Sequence, residues 1–174
     1  MGKAALALWF AAMVFLGAGL LARHLLAMPA PRPAVALARP GKWVAVHALY
    51  GECRCSQRIA DHLETSERPA GWTEIVLWVG TDPPKKLSER FEVRTVTPTE
   101  LAALGIEAAP SMAVIDPSGT TRYAGGYTER KQGPVIDDVR IMREAQHQDV
   151  KALPVFGCAV SNRLQTELSV LPTP

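Results

Sequence analysis

A chain of 174 residues, 48% of them hydrophobic, has enough apolar material for one membrane segment and one compact core, and is too short for two full domains. Its formal charge is only +2, with bases and acids interleaved along the chain, which excludes the basic face or stripe of a nucleic-acid-binding protein. Three cysteines, Cys53, Cys55 and Cys158, are too few to staple a domain of this size, so they are expected to do chemistry without any dissociable cofactor.

The run Ala4–Ala22 is uncharged and lies between Lys3 and the pair Arg23 and His24. At about 1.5 Å per residue it nearly spans a hydrocarbon core. A removed signal peptide and a retained anchor both begin this way. The small-residue cleavage sites, Ala34-Val35-Ala36 and Ala36-Leu37-Ala38, come late, beyond Arg23 and several prolines. Residues 1–27 are therefore read as a single-pass transmembrane anchor. Flanking charge does not set the orientation, because Lys3 and the amino terminus oppose Arg23, Arg32 and Arg39. The domain is assigned to the periplasmic side of an inner membrane on chemical grounds alone, since cysteines that do chemistry suit an exported domain. Residues 28–40, MPAPRPAVALARP, hold four prolines and read as an extended linker.

Residues 41–150 read as one domain. Trp43–Tyr50 is an apolar, β-branched and aromatic run, a buried strand. The turn Gly51–Ser56 carries Cys53 and Cys55, and Gln57–Thr65 follows as a helix with Ile59 and Leu63 on one face. Thr73–Val79 is a second buried strand. Short helices are expected from Pro83-Pro84 through Phe91 and over Thr97–Leu104, with an extended piece at Val93–Val96 between them. Met112–Ile115 and Thr120–Tyr123 form a hairpin around the turn Asp116–Gly119. Pro134–His147 is expected as a helix with Val135, Val139 and Met142 inward. The alternation implies an α/β domain, a mixed sheet with helices on both faces. Residues 151–174 form a C-terminal extension carrying Cys158.

A cysteine between a strand end and a helix start meets free backbone N–H groups and the positive end of the helix dipole. Both favour thiolate, the nucleophilic form, and Cys53 has that place. Here the chain resembles the thioredoxin-like superfamily, in particular its membrane-anchored bacterial members. Three features carry the resemblance: the strand and turn VAVHALYGECRCS, the Ala109-Pro110-Ser111 turn before the MAVI strand, and the hairpin DPSGTTRYAGGY. Together they cover about residues 40–147. The resemblance implies a cis bond between Ala109 and Pro110, a loop there that faces Cys53 and lines the substrate site, and a nucleophilic role for Cys53. It also departs from the family. A C-x-C stands where the family has C-x-x-C, Glu52 replaces the usual tryptophan, and Ser56 falls at the resolving position. His47 stands where many relatives bury a carboxylate; its bland reading is a hydrogen-bonded core histidine.

Two redox readings of the cysteines stay open. A Cys53–Cys55 disulfide would close a very small, strained and therefore oxidising ring. Alternatively, Cys158 resolves a mixed disulfide formed at the C-x-C turn, unless it is only a buried thiol packing as a small hydrophobe. The leading function is a thiol–disulfide oxidoreductase with Cys53, Cys55 and Cys158 as catalytic residues, Ala109 and Pro110 as substrate-binding residues, and a protein or small-thiol disulfide as partner. The second is thiolate binding or delivery of Cu(I), which soft sulfur ligands select. Three cysteines are too few for a four-ligand iron–sulfur cluster, and no C-x-x-C-H haem motif is present. A non-catalytic module on the same fold is the remaining class.

Overall fold

The computed structural model describes residues 2–25, 27–32 and 35–169. Its first element is helix α1 (Lys3–Leu25). Leu8, Phe10 and Phe15 along it are exposed. Among the described residues no helix is long and apolar enough to cross a membrane. The side chains of α1 are described as far as Ala18. The span expected over Ala4–Ala22 runs past that point, so its last side chains lie outside the described residues. Beyond the helix the chain lies against the domain. Met28 forms an isolated antiparallel bridge with Val155, the Arg32 N–H donates to the Gly105 carbonyl at 2.8 Å, and Leu37 is buried.

Strand β1 (Trp43–Tyr50) is the centre of a five-stranded sheet. It runs parallel to β2 (Trp72–Val79) and antiparallel to β5 (Ser111–Ile115). Outside these lie β3 (Glu92–Thr95), parallel to β2, and β6 (Thr121–Gly125), antiparallel to β5. The order is β3-β2-β1-β5-β6. Both faces of the central strands are covered, which is why they read as continuous apolar runs and not as alternating ones. On one face Ala45, Leu49 and Val76 join Ile59 and Leu63 of α2 (Arg54–Thr65), Leu87 of α3 (Lys85–Arg90), and Ile141 and Met142 of α5 (Asp138–Ala145). On the other, Val44, Val46 and Ile75 join Leu101 of α4 (Pro98–Ala103) and Leu37. Complete burial of a side chain such as Leu63 stabilises the fold by roughly 1.5–3 kcal/mol. Thr97 and Glu100 close a capping box at the start of α4, as the T-x-x-E pattern expects. A mixed sheet flanked by helices in this way fits a thioredoxin-like fold.

Three features differ from the sequence reading. Helix α2 begins at Arg54, not Gln57, so Cys55 lies in its first turn and Cys53 at its N-cap. Helix α5 spans Asp138–Ala145, shorter than expected, and buries Asp138, Ile141, Met142 and Ala145. Val135 precedes it and is exposed, because the inward face is set by an ion-paired aspartate that the apolar pattern ignores. Lastly, the C-terminal extension folds back. A two-residue strand, β4 (Ala108–Ala109), pairs antiparallel with β7 (Cys158–Ala159), and α6 (Asn162–Leu168) follows. Arg163 of α6 pairs with Glu107, and Ser161 caps the helix through the Leu164 N–H.

Candidate functional site

The turn after β1 is shaped by packing. A Cβ at Gly51 would sit 2.5 Å from Thr81 Oγ1 and 3.0 Å from the Trp78 ring, so only glycine lets the chain pass the tryptophan this closely. The Cys53 N–H then bonds the Tyr50 carbonyl at 2.9 Å, and the Gln57 N–H bonds the Cys53 carbonyl at 3.0 Å, closing the first turn of α2. Cys53 is in extended geometry at the N-cap and is 1% exposed.

The bond between Ala109 and Pro110 is cis, and its loop faces the turn: Cys53 Sγ lies 3.9 Å from the Ala109 carbonyl oxygen. The same Ala109 is paired with Cys158 across β4 and β7. The approach of that strand is tight. A Cβ at Gly157 would lie 2.0 Å from the Ala109 oxygen and 2.6 Å from Pro110 Cδ. Cys158 is thereby brought beside Cys53, close enough for each sulfur to shift the pKa of the other. All three cysteines are free thiols.

The electrostatics separate the three sulfurs. Cys53 is pulled from 9.0 down to about 5, first by the hydrogen bond from the Cys158 thiol, against the opposing effect of burial, with further help from the Ser56 and Cys55 backbone N–H groups and the Ser56 hydroxyl. Cys158 is pushed far up by the same hydrogen bond, by burial and by the negative charge on Cys53. One proton thus stays on Cys158 while Cys53 is thiolate. Cys55 is raised by burial and by the Cys53 charge, and is lowered in part by Lys131 and Arg58. Ser56 Oγ is fully buried without a hydrogen-bond partner among the described residues. It contributes to lowering the Cys53 pKa, as a hydroxyl beside the anion does.

A cavity of about 330 Å³ opens next to this cluster, lined by Arg54, Cys55, Arg58, Pro110, Tyr127 and Phe156 among others. Beneath it lies a buried polar network that the sequence did not reveal. His47 is fully buried in β1; its Nδ1 is 2.9 Å from the Tyr127 hydroxyl and its Nε2 is 3.1 Å from Glu74 Oε2. Glu74 pairs with Arg68, and Arg68 Nη1 donates to Asp138 Oδ2 at 2.5 Å. Asp138 also meets His62 Nε2 at 2.9 Å. These groups tolerate burial because each charge is paired. A polar residue within an apolar strand was the available signal: His47 gave it in Trp43–Tyr50 and Glu74 gave it in Thr73–Val79.

Among the described residues no group of three or more His, Cys, Asp or Glu side chains is disposed to hold a metal ion. The arrangement suits exchange chemistry: one stabilised thiolate, one protonated thiol in reach of it, and a third sulfur facing a cavity.

No protein-family model matches the sequence, and no curated protein does either. Among solved structures, the chain is similar to a hypothetical protein from Sinorhizobium meliloti 1021, with a TM-score of 0.50 and 13% identity over 78% of this chain and 96% of that one. At that identity the likeness concerns the fold alone. Similar structures also include the N-terminal domain of PilB from Neisseria gonorrhoeae, with a TM-score of 0.43 and 13% identity over 68% of this chain and 86% of that one. A thioredoxin-like superfamily protein has a TM-score of 0.38 and 15% identity over 72% of this chain and 99% of that one.

Proposed function

We propose that this protein is a thiol–disulfide oxidoreductase that uses Cys53 as nucleophile and Cys158 as resolving thiol. The observation that carries this reading is the seating of Cys158 opposite Ala109, beside the cis bond to Pro110, where the Ala109 carbonyl oxygen lies 3.9 Å from the Cys53 sulfur at the N-cap of α2. The Cys53 thiolate attacks one sulfur of a substrate disulfide, forming a mixed disulfide and releasing the other sulfur as thiolate. Cys158 gives up its proton to that leaving thiolate and attacks Cys53, forming the Cys53–Cys158 disulfide and freeing the reduced substrate. Two electrons pass from protein to substrate, and the reverse sequence oxidises a dithiol. Ala109 and Pro110 form the wall against which the substrate sulfur is held.

The strained Cys53–Cys55 ring is not required by this cycle, since Cys158 supplies the second sulfur. The proposal includes the setting: α1 tethers the domain to the inner membrane, and the domain works on the periplasmic side. The test is mass spectrometry of protein quenched in acid and alkylated without reduction. A Cys53–Cys158 linkage in the oxidised protein, lost with turnover in Cys158→Ser, is the expected result. A Cys53–Cys55 linkage with full turnover in Cys158→Ser refutes the assignment. Labelling of an engineered surface cysteine by a membrane-impermeant reagent in whole cells tests the setting.

A further inference from the structure

We propose that the cavity beside Cys55 is a binding site for a small anionic thiol, which re-reduces the oxidised protein through Cys55. This inference rests on the oxidoreductase reading above and adds the class of the electron donor.

The exchange between Cys53 and Cys158 leaves Cys55 unused, yet Cys55 is the cysteine that lines the cavity, while Cys53 is 1% exposed. At about 330 Å³ the cavity suits a small molecule. Its polar character is one-sided: Arg54 and Arg58 line it, and no acidic side chain does so among the described lining residues. Arg58 is fixed at the rim by its bond to the Gly133 carbonyl at 2.5 Å, and Lys131 adds positive potential at both Cys55 and Cys158. A carboxylate-bearing ligand complements this wall. Pro110, Ile59 and Phe156 supply the apolar part. Phe156 lies two residues before Cys158, so a bound molecule touches the segment that carries the resolving sulfur.

The chemistry is ordered by charge. In the reduced protein the negative charge on Cys53 holds Cys55 protonated. Once Cys53 is bonded to Cys158 that charge is gone, while Arg58 and Lys131 remain, and Cys55 loses its proton more readily. The Cys55 thiolate attacks Cys158, and Cys53 departs as its stabilised thiolate, the better leaving group of the two. The donor thiolate then attacks Cys55, releasing Cys158, which takes up a proton. A second donor thiolate attacks the donor sulfur of the mixed disulfide and releases Cys55. The sum is two donor thiols and one protein disulfide going to one donor disulfide and the protein dithiol.

The test uses the oxidised full-length protein and three thiols at equal thiolate concentration: reduced glutathione as anion, β-mercaptoethanol as neutral probe, and cysteamine as cation. Glutathione is expected to reduce the protein about tenfold faster than cysteamine. That ratio should fall towards one in Arg54→Gln/Arg58→Gln, and in the wild type as salt is raised. The salt series keeps the test decisive if the double variant does not fold. Quenched reactions should carry glutathione on Cys55. A ratio near one at low salt, a ratio insensitive to salt, or glutathione found on Cys53 or Cys158 overturns the inference. If dithiothreitol still drives disulfide exchange in those cases, the oxidoreductase reading stands alone. If no exchange occurs with any thiol, that reading fails and this one with it.

Discussion

Replacing Cys158 with alanine removes the thiol proton that stabilises Cys53, the largest single contribution to its lowered pKa. The other contributions, from the Ser56 and Cys55 N–H groups and the Ser56 hydroxyl, remain. Cys53 is therefore expected to rise from about 5 by one unit or more, each unit being ~1.4 kcal/mol between thiol and thiolate. At pH 5 a one-unit rise lowers the thiolate fraction from about one half to about one tenth, a roughly fivefold loss of alkylation rate. Cys158→Ser keeps a hydroxyl donor and should shift Cys53 less. The assay is the pH dependence of iodoacetamide modification at Cys53, followed by mass spectrometry on reduced protein. The same change appears in stability. A group whose folded pKa is depressed stabilises the fold fully above its unfolded value, ~8.5 for cysteine, and loses that contribution as pH falls through the folded value. Reduced wild-type protein should thus gain stability between about pH 5 and pH 8.5 from Cys53, and Cys158→Ala should gain less. An unchanged midpoint for Cys53 in Cys158→Ala would show that the two thiols do not share a proton.

Ser56→Ala should raise the Cys53 midpoint by a few tenths of a unit while leaving the urea midpoint unchanged or slightly improved, because the hydroxyl has no other partner to lose; a loss above about 1 kcal/mol would mean the hydroxyl is bonded elsewhere. Asp138→Asn removes one of the two carboxylates that pair with Arg68, leaves Glu74 as the other, and is expected to destabilise the fold by about 2 kcal/mol near neutral pH. Burial opposes ionisation of Asp138, but the His62 hydrogen bond and the Arg68 charge outweigh it and hold the carboxyl well below the usual range. Its contribution is therefore present above its unfolded pKa of ~3.9 and declines below it, so the gap between wild type and variant in urea titrations should shrink as pH falls under about 4. Gly157→Ala must move the strand by over 1 Å to clear the Ala109 oxygen at 2.0 Å, at about 1–3 kcal/mol; faster Cys53 labelling by bulky maleimides is expected, and unchanged labelling would show that this strand does not cover the thiolate.

Much of the fold was legible because its signals are long or chemically specific. Trp43–Tyr50 and Thr73–Val79 are apolar on both faces and became central strands. The D-P-S-G turn fixed the hairpin, with Asp116 accepting from the Ser118 and Thr120 N–H groups. The Ala109-Pro110 turn marked the loop opposite Cys53. What escaped was short or polar. Two-residue strands such as β4 and β7 have no period to detect, so the sequence left open whether Cys158 reaches Cys53. The inward face of α5 was assigned only in part: Met142 is buried as expected, but Asp138, a residue that normally seeks water, joins it through its bonds to Arg68 and His62. Arg68, like most charged residues, gave no sign of pairing inside the domain.

The site sets activation against access. The thiol that contributes most to the lowered pKa of Cys53 sits on the segment that covers it, so uncovering Cys53 by lifting Cys158 also raises its pKa. The backbone bonds that hold the cover are short edge pairings, among them the Ala109–Cys158 pairing, the Gly126 N–H to the Leu153 carbonyl at 2.9 Å, the Met28 N–H to the Val155 carbonyl at 2.8 Å and the Val160 N–H to the Glu107 carbonyl at 2.8 Å. Short edge pairings of this kind open at a fraction of the free energy needed to disrupt the central sheet. Under the proposed cycle, a closed cover guards the thiolate against small oxidants, which attack exposed low-pKa cysteines most readily. A substrate disulfide that takes the place of β7 against Ala109 presents its own sulfur where Cys158 stood, and meets Cys53 while it is still largely ionised. Because Met28 lies three residues beyond the end of α1 and bonds to Val155, the stretch that leaves the proposed tether also helps to hold the cover shut.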